Sequence, residues 1–445
     1  MLRSQRITRR RFVKGAAAAI AAPYVIPASA LGLDGAVAPS NRITLGFIGT
    51  GDHGVNWNMR YFFKQPDAQI VAVCDVDSAR REDAKKKVEE HYAEALSKGT
   101  YKGCASHNDF REIIARKDID AVMISTPDHW HVIPALMAVR AGKDVECEKP
   151  LTLTVAEGRA LADAVKKHNR IFQTSSENRS VDVYHRMCEL VRNGRIGKLK
   201  HINVTLPRGH SIRAASMEVC PPPAGFDYNM WLGQTPEAPY CPARCHWNFR
   251  WILDYSGGQL TDWAAHHVDI ADWGLGTEHT GPIEVEGKGE FPRDGLWNAS
   301  TSYRFECVYR EGFTMVVLND KQEVEGKPFK NGVKFIGDKG WLWVARGNEI
   351  ASEPESVIND MAGPNEVHLY RSNNHWGNFI ECVRSRKETI APIEPAQRAI
   401  TVAHLGNIAM QLERKVKWDP ARERFVDDPE ADRMIDRAMR SPWRL

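Results

Sequence analysis

The stretch ITLGFIGTGDHG, Ile43 to Gly54, decides the fold. Ile43, Leu45, Phe47 and Ile48 read as a buried strand that runs straight into Gly49-Thr50-Gly51-Asp52-His53-Gly54, and the run to Phe63 reads as a helix. Each glycine has a separate task. Gly49 permits the tight turn, Gly51 lets backbone approach a pyrophosphate with no Cβ in the way, and Gly54 lets the helix pack closely on its strand. The helix N-terminus then faces the phosphates. A second apolar strand, Gln69 to Cys74, ends in Asp75, 21 residues after Gly54, where a carboxylate accepts from ribose hydroxyls and repels a 2′-phosphate. The stretch predicts a dinucleotide site around Gly49, Gly51, Asp52, His53, Gly54 and Asp75 that takes NAD, with NADP less favoured.

Outward from this turn, strand and helix signals alternate. Strands read at Ala121 to Ser125, Asp144 to Cys147 and Ile171 to Thr174. Helices read at Asp77 to Ala95, Asn108 to Arg116, His131 to Ala141 and Val155 to His168. Alternation of this kind predicts an α/β fold: a doubly wound parallel sheet over residues 42–175, covered on both faces. From about Leu199 the pattern changes to period two, at His201 to Leu206, Ser302 to Tyr309, Thr314 to Leu318, Val333 to Ile336 and Trp341 to Val344. Residues 176–445 therefore read as a C-terminal α+β domain on an open, mostly antiparallel sheet. Two late helical patterns, 374–386 and 395–413, are free to brace either domain. The Pro- and Trp-rich stretch from His210 to Trp251 has little periodicity and reads as irregular walls around a site.

The residues before the first strand bear on destination. Thr8-Arg9-Arg10-Arg11-Phe12-Val13-Lys14, an alanine-rich run to Ile26 and Ala28-Ser29-Ala30 predict a twin-arginine signal peptide over 1–30, followed by a linker over 31–41. The apolar run is short and broken by Pro23 and Pro27, which argues against a membrane span. Those 30 residues carry six bases and no acid, so the formal charge of +3 falls to 54 bases against 57 acids in the remainder. No basic patch points to nucleic acid, and a small neutral molecule is the expected partner. The composition, 42% hydrophobic and 26% charged over 445 residues, fits a two-domain enzyme. Nine cysteines without paired spacing are not a disulfide scaffold. Cys241-x3-Cys245 with His246 has no second ligand pair, so no metal site is expected.

Two constellations carry chemistry. In Val145-Glu146-Cys147-Glu148-Lys149-Pro150 a strand ends in a charged pair, and ligands of doubly wound sheets lie beyond the strand carboxyl ends. Lys149 is thus placed to hold a substrate oxygen or relay a proton. In Gly257-Gly258-Gln259-Leu260-Thr261-Asp262-Trp263-Ala264-Ala265-His266-His267-Val268-Asp269 a glycine turn opening a helix puts Asp262, His266 and Asp269 along one face. An imidazole flanked by carboxylates is raised in basicity and suits a base acting on a hydroxyl. A metal held by His266, His267 and Asp269 is the weaker reading, because adjacent helical histidines point about 100° apart.

Together the glycine turn, Asp75, the Thr126-Pro127 loop with His129 and His131, Glu148-Lys149-Pro150, and Gly257-Gly258 leading to Asp262-x3-His266-x2-Asp269 resemble the Gfo/Idh/MocA oxidoreductases. The resemblance implies a Rossmann domain, a C-terminal domain whose sheet forms homo-oligomers, and a nicotinamide cofactor touched by Thr126, Pro127, His131, Glu148 and Lys149. It further implies a sugar or cyclitol substrate, with Lys149, Asp262 and His266 catalytic and Asp269 adding a substrate contact; Arg179, in Glu177-Asn178-Arg179-Ser180 after the sixth strand, reads equally as a further substrate contact or as half of a structural salt bridge. His267 departs from the acidic residue found there in some inositol dehydrogenases, so substrate identity does not transfer.

The expected reaction is hydride transfer between a carbinol carbon and the nicotinamide, with His266 as base, Asp262 orienting it and Lys149 polarising the oxygen. An exported nucleotide enzyme must carry its cofactor and recycle it in place. That leaves coupled oxidation and reduction of two sugars, or a redox-neutral glycoside cleavage through transient oxidation. A sugar-binding protein that keeps the Rossmann shell without catalysis is the alternative from another class.

Overall fold

The computed structural model describes residues 42–319 and 331–445, together with the backbone of two short strands between them, β11 (Gln322–Val324) and β12 (Lys327–Phe329). The expected signal peptide and linker lie outside the described residues. No helix among those described is long and apolar enough to cross a membrane.

The opening stretch folds as its residues dictate. β1 (Ile43–Ile48) is the centre of a six-stranded parallel sheet with β2 (Ala68–Cys74), β3 (Ala105–His107), β4 (Ala121–Ile124), β5 (Asp144–Cys147) and β6 (Phe172–Thr174). Their order is β3-β2-β1-β4-β5-β6. The order reverses between β1 and β4, which opens a crevice at the carboxyl ends of both strands. The helix read as following the turn is a π-helical segment, Gly54–Met59, continued by Arg60–Phe62. Wide turns of this type recur at functional sites. Val155–His168 carries a full capping box, Thr154 and Glu157 each bonding the other's backbone N–H.

The second sheet is mixed: β15-β14-β13-β7-β10-β9-β8-β16-β17, nine strands. These are β7 (Leu199–Thr205), β8 (Glu284–Glu290), β9 (Ser302–Val308), β10 (Thr314–Leu318), β13 (Gly332–Gly337), β14 (Trp341–Ala345), β15 (Glu349–Glu353), β16 (Val416–Asp419) and β17 (Arg424–Phe425). One pair, β7 with β10, is parallel; the rest are antiparallel. Alternate residues such as Ile202, Val204, Phe305, Cys307, Val333 and Phe335 are buried. Their face packs on helices that include Gly258–Leu275 and Ile393–Leu412. Gly406 is needed at that contact, since a Cβ there would lie 2.5 Å from the Phe305 ring.

Both late helices reach back to the first domain. His375–Ser385 buries Trp376, Phe379, Ile380 and Val383 in one cluster with Leu45, Phe47 and Phe62. Ile393–Leu412 packs between Val155–His168 and Gly258–Leu275. The strands that sequence patterning passed over, β3, β8 and β15 to β17, are short or charged and lack an apolar run. The amphipathic helix Asp182–Arg192, also unmarked, buries Tyr184, Met187, Leu190 and Val191.

Candidate active site

The glycine turn is held by packing and by Asp75. Gly49 has φ +89°, and a Cβ on it would sit 2.6 Å from the Ser125 backbone, so this position admits glycine. A Cβ on Gly51 would meet an arginine tip, Arg80, within 4 Å, which leaves the turn open for a ligand's close approach. Asp75 accepts from the Thr50 backbone N–H at 2.7 Å and from the Asp77 N–H at 2.9 Å. Burial raises its pKa and those two N–H groups oppose the rise.

The turn forms one wall of a cleft of about 400 Å³. Gly49, Gly51, Asp52, His53, Gly54 and Asp75 line it with Thr126, Pro127, Glu148 and Lys149. The irregular 210–251 stretch adds to the lining through Arg213, Phe226, Trp247, Phe249 and Arg250 among others. A dinucleotide fits these groups: the amides at the start of the helix after the glycine turn as donors to phosphate, and a carboxylate at the end of β2 as an acceptor. His131, expected beside the cofactor, is absent from the lining. Its ring instead bridges the Pro150 and Thr126 carbonyls at 2.7 and 3.0 Å and fastens two site loops together. The Lys149-Pro150 peptide is cis.

Glu148 is buried and accepts from Asn58 at 2.8 Å, while His53 Nε2 lies 2.9 Å away. Burial opposes its charge, but His53 and Lys149 prevail and bring its pKa down to about 2. The same contact raises His53. Glu177, bonded by Trp57 Nε1 at 2.6 Å, is pushed up to about 7 by burial and by Glu148. Ligand atoms of His53, Glu148 and Glu177 all lie within 4.8 Å of one another. By spacing alone they could hold a cation.

The helix Gly258–Leu275 brings the second constellation to Lys149. Lys149 Nζ donates to Asp262 Oδ1 at 2.7 Å, joining residues 113 apart in sequence. Burial opposes the Asp262 charge, yet Lys149 and Arg250 hold its pKa below the ordinary value. Asp262 therefore orients Lys149, not His266 as the helical spacing predicted. His266 lies one turn further along the same helix and is buried. Its Nε2 accepts from Arg346 at 2.9 Å and its Nδ1 has no partner among the described residues. Burial, then the Lys149 and Arg346 charges, put its pKa well below the ordinary value. The expected carboxylate flank is thus a cationic one, and the imidazole is neutral.

Asp269, expected to contact substrate, and Arg179, read as either a substrate contact or a salt bridge, are spent on each other. The Arg179 guanidinium donates to both Asp269 oxygens at 2.7 and 2.8 Å and to Glu278 at 2.8 Å. Both residues are buried and neither lines the cleft. Geometry makes them a structural ion pair behind the site. Arg346 was missed by sequence reading because it sits in the turn after β14, 80 residues from the ring it touches. Arg213, Trp247 and Arg250 were missed because nothing in an aperiodic stretch marks which side chains face inward. All nine cysteines are unpaired.

Comparison with known proteins matches this architecture. Residues 43–176 fit the profile of the oxidoreductase family, NAD-binding Rossmann fold, and residues 210–445 that of the oxidoreductase family, C-terminal alpha/beta domain. Myo-inositol 2-dehydrogenase of Thermotoga maritima is 24% identical over 389 residues, 85% of this chain and 97% of that protein. An alpha-N-acetylgalactosaminidase of Shewanella oneidensis is 30% identical over 179 residues, 39% of this chain and 37% of that protein. The crystal structure of scyllo-inositol dehydrogenase from Lactobacillus casei, with bound NAD(H) and scyllo-inositol, shares the fold. Its TM-score is 0.58 at 18% identity, covering 84% of this chain and 99% of that one. With both of its domains matched, the chain belongs to the Gfo/Idh/MocA oxidoreductase family.

Proposed function

We propose that this chain oxidises or reduces a secondary hydroxyl of a sugar or cyclitol, with a tightly held nicotinamide dinucleotide in the cleft. The observation that carries it is convergence: Lys149, at the carboxyl end of β5 beside the glycine turn, meets Asp262 one helical turn before His266. A bound nicotinamide supplies the hydride acceptor or donor. Lys149, aimed by Asp262, donates to the substrate oxygen and stabilises charge on it. His266, neutral in this setting, takes the hydroxyl proton at Nε2, where the substrate O–H replaces the Arg346 N–H. Asp75 supports NAD over NADP. The inositol dehydrogenases among the relatives support the substrate class.

Two variants test the roles. His266→Ala and Lys149→Met should each keep the nucleotide and lose turnover by about a hundred- to ten-thousandfold. Near-full activity of either on the true substrate would refute its role. Nucleotide released on denaturing the purified protein, with titration of NAD and NADP, tests the cofactor reading. The leader motif supports export by the twin-arginine pathway with the cofactor already bound, and an empty exported protein with weak NAD affinity refutes that. The likeness to an alpha-N-acetylgalactosaminidase supports a second reading, redox-neutral glycoside cleavage by transient oxidation. Glycoside hydrolysis without accumulation of reduced nucleotide would establish it over net oxidation.

A further inference from the structure

The part of the cleft built by the 210–251 stretch carries two cations, Arg213 and Arg250, that the proposed reaction does not employ. Arg213 and Arg250 both stack on one indole, with guanidinium carbons 3.9 and 4.6 Å from the Trp247 ring centroid. The stack is anchored at its base. Buried Asn248 exchanges two hydrogen bonds with the Arg213 backbone at 2.9 and 2.8 Å, and Trp247 Nε1 donates to the Ser211 carbonyl at 2.6 Å. Arg250 also donates to the Trp247 carbonyl at 3.3 Å and lies over Phe249.

From these contacts we infer that the cleft takes an anionic sugar, whose carboxylate or phosphate is held by Arg213 and Arg250. The inference rests on the proposed sugar oxidoreductase site and names the class of substrate it accepts. Charge pairing carries it. Among the acids of the cleft, Asp75 is occupied by backbone N–H groups, Asp128 by Ser256, Glu148 by His53 and Asn58, and Asp77 by Arg80. Beside the cleft, Asp262 is taken by Lys149. Asp52, on the glycine turn, binds Asn56. No carboxylate among the described residues lies within ion-pair distance of Arg213 or Arg250.

Two like charges sharing one ring repel each other, and a cation–π contact offsets only about 0.5–1 kcal/mol at such exposure. The arrangement is stabilised by an anion, and stacking suits the purpose. A guanidinium held over an aromatic face still has N–H groups for an oxyanion, and Arg250 spends only Nη1 on the Trp247 carbonyl. The location fits a substrate group. The Arg250 carbonyl lies 3.9 Å from the point where a Cβ on Gly258 would sit, at the start of the helix that carries Asp262. The Arg250 charge is also among those acting on Asp262 and on Asp128. Arg346, beside His266, likewise has no carboxylate partner among the described residues. A bound anion would relieve the cationic surroundings of that imidazole.

The test uses the holoenzyme and matched pairs: glucose against glucuronate and glucose 6-phosphate, galactose against galacturonate. Calorimetry reads binding and nicotinamide absorbance reads turnover. Wild type should favour an acid over its neutral partner. Arg213→Ala and Arg250→Ala should each cut that preference by about ten- to hundredfold, the range for one charge-assisted hydrogen-bonding group. Arg250→Lys should recover part of it. Which acid wins separates carboxylate from phosphate. Equal handling of acid and neutral sugars, or no binding by any acid in the panel, overturns the inference. So do variants that weaken nucleotide binding while leaving the preference intact, since the guanidiniums would then serve the cofactor's phosphates. Acid sugars that bind through Arg213 and Arg250 but are never oxidised would uphold the anion site and refute the dehydrogenase reading instead.

Discussion

Replacing Arg179 with Met separates a structural ion pair from a substrate contact. The guanidinium is almost wholly enclosed and makes three charge-assisted bonds of 2.7 to 2.8 Å, two to Asp269 and one to Glu278. Methionine fills similar space but leaves Asp269 as an uncompensated buried carboxylate. Loss of one partner from such a pair costs about 3–5 kcal/mol. At roughly 2 °C per kcal/mol for a large domain, the thermal midpoint should fall by about 6–10 °C. The double variant Arg179→Met with Asp269→Leu removes both charges and should recover most of that loss, because a hydrophobic pair escapes the desolvation penalty. Differential scanning calorimetry gives the midpoints. Assays well below them give KM for the sugar, which should stay near the wild-type value in both variants. A midpoint within about 1 °C of wild type, together with a raised KM, would show that Arg179 serves substrate and that the pairing is incidental.

Three further outcomes follow from the same geometry. Arg346→Met removes one of the cations that depress His266, so the ring holds a proton to higher pH. The acid limb of the kcat/KM profile should then move upward, and an unmoved limb in an active variant would exclude His266 as the base. Burial pushes Asp272 up to about 8 from 3.8, against its bond from Thr277. A group raised in the fold gives full stability below its unfolded pKa and loses it as pH rises towards the folded value, by roughly 1.4 kcal/mol per unit. Asp272→Asn should therefore match the parent near pH 4 and exceed it at pH 8; unfolding midpoints that differ equally at both would contradict the assignment. Gly49→Ala puts a Cβ 2.6 Å from the Ser125 backbone at φ +89°. It should destabilise by more than about 1 kcal/mol and weaken nucleotide binding, as read by released nucleotide.

Cleft residues close in sequence were legible because one turn or one strand end carries them. Gly49, Gly51, Gly54 and Asp75 belong to a single strand–turn–helix–strand unit, and local sterics fix their geometry. Lys149 was legible as the end of β5. Helical spacing placed Asp262 and His266 correctly on one helix but misassigned their partners. It aligns side chains along a face and says nothing of which foreign groups meet that face. Asp262 found Lys149 across the domain boundary, His266 found Arg346 from the second sheet, and Asp269 found Arg179. The sign of the His266 shift reversed for that reason. Burial and the Lys149 and Arg346 charges lower it, while the carboxylates that spacing had placed beside it are bound to Lys149 and Arg179 instead.

Sequence alone determined the parallel sheet and the change of architecture near residue 199, since each depends on periodicity or on backbone sterics within a few residues. Tertiary structure decided the electrostatics. It returned helix His375–Ser385 to the first domain's core, made Arg179 and Asp269 a buried pair, and lined part of the cleft with two arginines on one tryptophan. Charges act through space over several ångströms, and the distances that govern them are set only when segments a hundred residues apart are packed together.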